Sequence, residues 1–132
     1  MKSFTNLLLG SLTFLAVASC SKDDEKVTPT SGPREYNVEY KITSSTGSQA
    51  DFVLYYNETG GQSQFADVKL PVTYKFKRTM KAGDITSIGA SLANTTANSE
   101  ITTTILLDGK QVDTKTARGT GLATAIYIIG QP

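Results

Sequence analysis

The 132-residue sequence contains no histidine, no tryptophan and a single cysteine. Without histidine, the chain has no base for a serine-type catalytic triad and no imidazole ligand for a metal. One cysteine forms no disulfide within the chain and no thiolate pair for metal or redox chemistry. These absences remove the commonest catalytic and metal-binding chemistries, and we expect no catalytic residue, no metal and no cofactor.

The chain also lacks an excess of charge of either sign. Thirteen Lys and Arg residues stand against twelve Asp and Glu residues, and removal of Lys2 with a signal segment would make the two totals equal. A chain without net charge produces no overall field that attracts nucleic acid or anionic lipid. We therefore expect no nucleic-acid partner.

The N-terminal segment, residues 1–19, has the pattern of a secretion signal. Its apolar run is shorter than the roughly 20 residues that a membrane-spanning helix needs. Three small residues directly precede Cys20: Val17, Ala18 and Ser19. This arrangement resembles the lipobox of bacterial lipoproteins, in which a signal peptidase recognises the small residues and the cysteine is acylated. We predict a lipoprotein signal peptide and lipidation at Cys20, and the alternative is an ordinary cleaved signal with a chance cysteine.

Residues 20–33 predict a lipidated cysteine followed by a flexible linker, because they are rich in Ser, Thr, Pro and charge and have no apolar periodicity. A charged cluster opens this linker: Lys22, Asp23, Asp24 and Glu25. The cluster resembles the export signal of certain Gram-negative surface lipoproteins. We expect a lipid-anchored protein of the outer membrane, displayed at the cell surface, with the periplasm-facing leaflet as the alternative.

From residue 34 onward, apolar and polar residues alternate with the period of two that is typical of β-strands. About eight such strands, separated by turns every 8–12 residues, predict one domain over residues 34–132. The expected fold is all-β, a single antiparallel immunoglobulin-like β-sandwich of about seven to eight strands.

The second strand provides the candidate binding patch. We assign Ala50, Phe52, Leu54 and Tyr56 to its buried row, which leaves Val53 and Tyr55 on the opposite face. Together with Phe65, these two residues would form a small exposed patch for an apolar ligand or a stacked sugar ring. The alternative is that a second sheet layer or the long linker covers them.

Three features of the chain make sharper structural predictions. Asp108-Gly109 predicts a tight hairpin turn, because both positions of such a turn need positive φ angles. Pro71 marks a sheet edge or a crossover, since proline donates no hydrogen bond to a neighbouring strand. The last strand, residues 122–129, is apolar on both faces and is expected to be central, with an exposed contact strand as the alternative.

The folded region resembles the MmpS family, the small accessory proteins of mycobacterial lipid and siderophore exporters. The resemblance spans residues 36–129 and rests on the order and spacing of several stretches: residues 38–43, Ala50-Asp51, residues 68–71, residues 88–94 and the hairpin at 101–112. Within it, Val72 stands where the family usually has Trp. Neither Thr103 nor the region near Ala125 supplies the cysteines that the family resemblance implies.

The resemblance implies a partnership with an RND-type exporter or another envelope transport complex. Alternation places most carboxylates in turns or on outward faces, so the chain offers no pair of acids in a cleft for hydrolysis. We predict a non-enzymatic lipoprotein, anchored to the membrane by its lipid, that acts as an accessory or interaction module. The alternative function is a small surface-displayed module that binds glycan or lipid, with the ligand unknown.

Overall fold

The computed structural model describes residues 32–132, which form eight strands. They are β1 (Arg34–Ser44), β2 (Gln49–Tyr56), β3 (Gln62–Lys69), β4 (Val72–Met80), β5 (Ile85–Leu92), β6 (Glu100–Leu107), β7 (Lys110–Arg118) and β8 (Ala123–Ile128). No helix of this part of the chain is long and apolar enough to cross a bilayer. The predictions for Cys20, for residues 17–19 and for residues 22–25 lie outside the described residues.

The strands form two antiparallel sheets of four strands each. Sheet 1 has the order β4-β1-β6-β7, and sheet 2 has the order β3-β2-β5-β8. Of the seven connections between the described strands, β2–β3 and β6–β7 join neighbours in one sheet, and the other five cross between the sheets. The predicted antiparallel β-sandwich, of immunoglobulin-like size and with seven to eight strands, is confirmed.

The β6–β7 hairpin turns where the sequence predicts. Asp108 has a φ of 51° and Gly109 a φ of 81°, and Leu107 pairs with Lys110 across the turn. Pro71 lies in the crossover from β3 in sheet 2 to β4 in sheet 1, which confirms the second local prediction. Both features depend only on the chemistry of residues close together in the sequence.

The core has a wedge shape. The two sheets approach each other along β5, β6, β7 and β8, where small side chains such as Ala90, Ala123 and Ala125 are buried. Toward β3 and β4 the sheets are further apart, and aromatic side chains fill the space between them. Size complementarity therefore sets the angle of the sandwich, since interiors pack to near-crystalline density.

The prediction for β2 is right for Ala50, which is 0% exposed, and wrong about which face is buried after it. Val53 is 0% exposed, whereas Phe52, Leu54 and Tyr56 are partly exposed on the outside of sheet 2. The cause is a β-bulge: the register of β2 against β5 shifts between Ala50 and Phe52. One extra residue, Asp51, reverses the phase of alternation, so the residues after it face the opposite way.

The prediction that the last strand is central is also wrong. β8 is the edge strand of sheet 2, and Ile126 on its outer face is 53% exposed. The unpaired edge is partly covered, because the backbone N–H of Ile126 donates a 2.9 Å hydrogen bond to the carboxylate of Asp113 in β7. This side-chain cap blocks further strand pairing at that point of the edge.

Candidate binding surfaces

The outer face of sheet 1 is polar and charged. Along β1 and β4 the outward residues are Glu35, Asn37, Glu39, Lys41, Thr43, Thr73, Lys75, Lys77 and Thr79. Lys75 lies 3.7 Å from Glu39, and Lys77 lies 3.3 Å from Glu35. These ion pairs balance the basic residues of β4, so the face has the character of ordinary solvated surface.

The outer face of sheet 2 is apolar instead. We define this apolar face by the outward residues Phe52, Leu54 and Tyr56 of β2, Ile85 of β5, Ile126 and Ile128 of β8, and the preceding Leu122. Ile85, Leu122 and Ile126 are 41%, 54% and 53% exposed. The residues between them, Ser87, Gly89 and Thr124, are uncharged. At the border of the face, the Ser91 hydroxyl donates a 2.5 Å hydrogen bond to the Asp51 carboxylate.

A recess of about 120 Å³ lies in the apolar face. Its lining includes Phe52, Leu54, Tyr56, Gly89, Leu122 and Thr124. Gly89 lies on the outward row of β5 opposite Thr124, and its missing side chain leaves the floor of the recess open. A Cβ at Gly89 would lie 3.4 Å from Thr124 Oγ1 and 3.8 Å from Leu122 Cδ1. A Cβ at this position would therefore enter the recess at contact distance from both neighbours.

A second candidate surface is the aromatic edge, formed by Tyr55, Phe65, Tyr74 and Phe76 where β3 and β4 border the open side of the wedge. The Tyr55 and Tyr74 ring centroids are 4.7 Å apart. Phe65 stacks at 5.9 Å on each of these rings and is 43% exposed. Offset stacks of this kind leave ring faces for a planar or apolar ligand.

The structure thus keeps two of the three residues in the predicted patch together. Tyr55 and Phe65 are in contact, but Val53 is in the core and is removed from the site. Sequence reasoning missed Tyr74 and Phe76 as members, although their alternation in β4 places both on one face. Their proximity to Tyr55 depends on the packing of sheet 1 against sheet 2, which no local pattern specifies.

The phenols of this region are held in the neutral form. Burial raises the pKa of Tyr55, with a further contribution from the charge of Glu58, and burial raises the pKa of Tyr74. Tyr40, fully buried beneath them, also has a raised pKa because of desolvation, and its hydroxyl donates a 3.0 Å hydrogen bond to the carbonyl of Tyr56. These groups provide apolar rings and neutral hydrogen bonds, not a base.

The acidic residues contribute to structure more than to chemistry. The Asp108 carboxylate accepts hydrogen bonds from the backbone N–H of Asn37 at 2.9 Å and from Arg34 at 3.0 Å. These bonds, with that of Asn37 the larger cause, lower the pKa of Asp108 and fasten the β6–β7 turn to β1. Among residues 32–132, no three Asp, Glu or Cys side chains come close enough together to hold a metal ion.

Comparison with known proteins gives no further guide to these surfaces. No protein-family model matches the sequence, and no curated protein matches it. The resemblance to the MmpS family therefore remains a prediction that rests on the residues quoted above.

Proposed function

We propose that this protein is a non-enzymatic, lipid-anchored module of the bacterial envelope that docks against another folded surface through its apolar face. The observation that supports the proposal is the contrast between the two outer faces of the sandwich. The outer face of sheet 1 is composed of threonines and paired charges, whereas that of sheet 2 exposes Ile85, Leu122 and Ile126.

The extent of the apolar face favours docking over chance exposure. The three strands that carry the apolar face, about 4.8 Å apart and about six residues long, cover an area of about 300 Å². Single exposed apolar residues are common on monomeric proteins, but contiguous patches of several hundred Å² mark interaction sites. A flat, uncharged surface of this size suits another protein better than a small polar ligand.

The partner that we propose is an envelope transport complex, of the RND type or another type. The support is the MmpS resemblance, which includes the Asp108-Gly109 hairpin and the order and spacing of the stretches quoted with it. An adaptor needs no chemistry of its own, only a surface that fits the transporter and an anchor that holds it at the membrane.

Docking is tested by replacing one exposed residue on each outer face. Ile126→Lys places a charge on the apolar face, and Thr79→Lys places the same charge on the exposed outer face of sheet 1. After cross-linking in intact cells, the unaltered chain and Thr79→Lys should recover the same envelope proteins, and Ile126→Lys should lose them. Equal recovery by both variants would remove the apolar face from the proposal.

The anchor is tested separately by acyl labelling. Cys20→Ala should abolish incorporation of labelled fatty acid and release the protein from the membrane, whereas Ser21→Ala should leave both unchanged. Labelling that survives in Cys20→Ala would contradict the lipobox assignment.

Export to the cell surface is tested by protease added outside intact cells. Replacement of Lys22, Asp23, Asp24 and Glu25 by Ala should leave acylation intact and protect the chain from that protease. Unchanged accessibility would place the export information elsewhere and contradict this role of the cluster.

A second candidate function is the binding of a glycan or lipid at the aromatic edge. The observation that favours it is the 43% exposure of Phe65 above the stacked rings of Tyr55 and Tyr74. Glycan and lipid arrays should then show binding that Phe65→Ala loses and Ile126→Lys retains. Binding that is lost in Ile126→Lys instead would assign the ligand to the apolar face.

A further inference from the structure

We infer that the apolar face docks on the same face of a second copy of this chain, as a two-fold symmetric dimer. This inference rests on the proposed docking at that face and makes a second copy its occupant, so that an envelope transport complex would contact the dimer outside the apolar face. It concerns the arrangement of one projecting side chain and one recess on a single sheet surface.

The face is self-complementary in shape. Ile126 projects from β8 and is 53% exposed, while the recess above Gly89 has a volume of about 120 Å³. A recess of this volume holds a group larger than a single water molecule, such as a branched aliphatic side chain. The recess can therefore accept Ile126 of a second copy.

The two features are close together and arranged for reciprocal contact. Gly89 pairs with Thr124, and the next outward pair along the same two strands is Ser87 with Ile126. A two-fold axis that lies between the facing sheets and passes midway between recess and projection brings each Ile126 over the other copy's Gly89. In such an isologous contact, one self-complementary patch satisfies both subunits.

Charge and edge structure favour face-to-face association of copies. The apolar face brings no like charges together, whereas pairing of the outer faces of sheet 1 would remove the Lys75–Glu39 and Lys77–Glu35 ion pairs from water, which is costly. Edge-to-edge growth through β8 is blocked at Ile126, whose backbone N–H is already bound to Asp113. Sheets that pack face to face lie about 10 Å apart, which leaves room for one layer of interleaved side chains.

The size of the face predicts a weak dimer. Its area of about 300 Å² is less than half of the roughly 800 Å² per partner in a standard stable interface. Confinement of two chains to one membrane by their anchors raises their effective concentration and offsets this weakness. The association should therefore be evident in membranes and fade on dilution in detergent.

The test uses the full-length chain in membranes with a reporter cysteine at Ser87, beside the proposed axis. A short bismaleimide should join Ser87→Cys chains into a dimer, and it should not join Thr79→Cys chains or the chain without an added cysteine. The Thr79→Cys control reports cross-linking by random collision, and the chain without an added cysteine reports any reaction at Cys20.

Gly89→Val provides the decisive second variant. It places a side chain in the recess, where its Cβ contacts Thr124 and Leu122, and it replaces glycine with a good strand former; the thermal midpoint measures whether the fold is retained. Loss of two isoleucine insertions per dimer should weaken association by about 100-fold. The Ser87→Cys dimer should thus disappear in Gly89→Val while the thermal midpoint does not fall.

Each outcome separates this inference from the proposed function. Loss of the envelope partners in Ile126→Lys, without a Ser87→Cys dimer, overturns self-association and retains docking at the apolar face. A dimer that persists in Gly89→Val overturns the insertion of Ile126. Absence of the Ser87→Cys dimer, together with unchanged partners in Ile126→Lys, overturns both.

Discussion

The reversed phase of β2 can be tested with two threonine substitutions at neighbouring positions. Val53→Thr places a hydroxyl of nearly the same shape at a site that is 0% exposed. Leu54→Thr makes a larger change in size but on the partly exposed outer side of the same strand. The bulge at Asp51 predicts that the smaller chemical change is the more destabilising one.

The expected sizes of the two effects differ clearly. A hydroxyl buried without a hydrogen-bond partner costs about 1–3 kcal/mol, so Val53→Thr should lower the free energy of unfolding by about 2 kcal/mol. Leu54→Thr loses only part of the contacts of a partly exposed side chain and gains strand propensity, for a net loss below about 1 kcal/mol. If β2 alternated regularly without the bulge, the two effects would be in the opposite order. Leu54→Thr would then cost about 3 kcal/mol and Val53→Thr almost nothing.

Urea unfolding followed by tyrosine fluorescence measures the difference, since the chain has six tyrosines and no tryptophan. With a slope of about 1.5 kcal/mol per molar urea, the midpoint should fall by about 1.3 M in Val53→Thr and by less than about 0.7 M in Leu54→Thr. A larger shift in Leu54→Thr would refute the bulge and the assignment of the apolar face.

Three further predictions concern single interactions within the sandwich. Thr103→Val should stabilise the fold by about 1–2 kcal/mol and raise the thermal midpoint by about 5–10 °C, because the Thr103 hydroxyl is buried without a hydrogen-bond partner; a lower midpoint would contradict this. Tyr40→Phe should cost about 1 kcal/mol in urea unfolding through loss of the bond to the Tyr56 carbonyl, and no change would show that the bond contributes nothing. The lowered pKa of Asp108 means that its ionised form adds stability above the unfolded pKa of about 3.9, and that this stability is lost as pH falls through the folded value. In urea titrations, the stability advantage of the unaltered chain over Asp108→Asn should therefore be constant at neutral pH and shrink below about pH 4. An advantage that grows as the pH falls would contradict the lowered pKa of Asp108.

Local chemistry made some parts of this fold predictable. The Asp108-Gly109 turn follows from two residues that accept positive φ angles, and the two strands it joins follow from alternation on either side. The position of Pro71 at a crossover follows from its lack of a backbone N–H that could donate a hydrogen bond to a neighbouring strand. Each of these features is decided within a few residues along the chain, so the sequence pattern is sufficient.

Other parts depend on pairing between distant segments. The bulge at Asp51 appears only in the register of β2 against β5, and its effect is to move Val53 into the core and Phe52 out of it. The edge position of β8 depends on its pairing with β5 alone. Alternation predicts that a strand has two faces, but it does not specify which face meets the second sheet or which strand ends the sheet.

The central place of β1 in sheet 1 determines how the domain would respond to mechanical load. β1 begins at Arg34, directly after the predicted linker, and pairs with β4 over residues 34–42 and with β6 over residues 38–44. With the proposed anchor at Cys20 and a partner held on sheet 2, tension would act along β1. The hydrogen bonds to both neighbours would then bear the force together in shear instead of opening one after another. The unfolding rate of the domain under force would then determine how long the domain stays folded under tension.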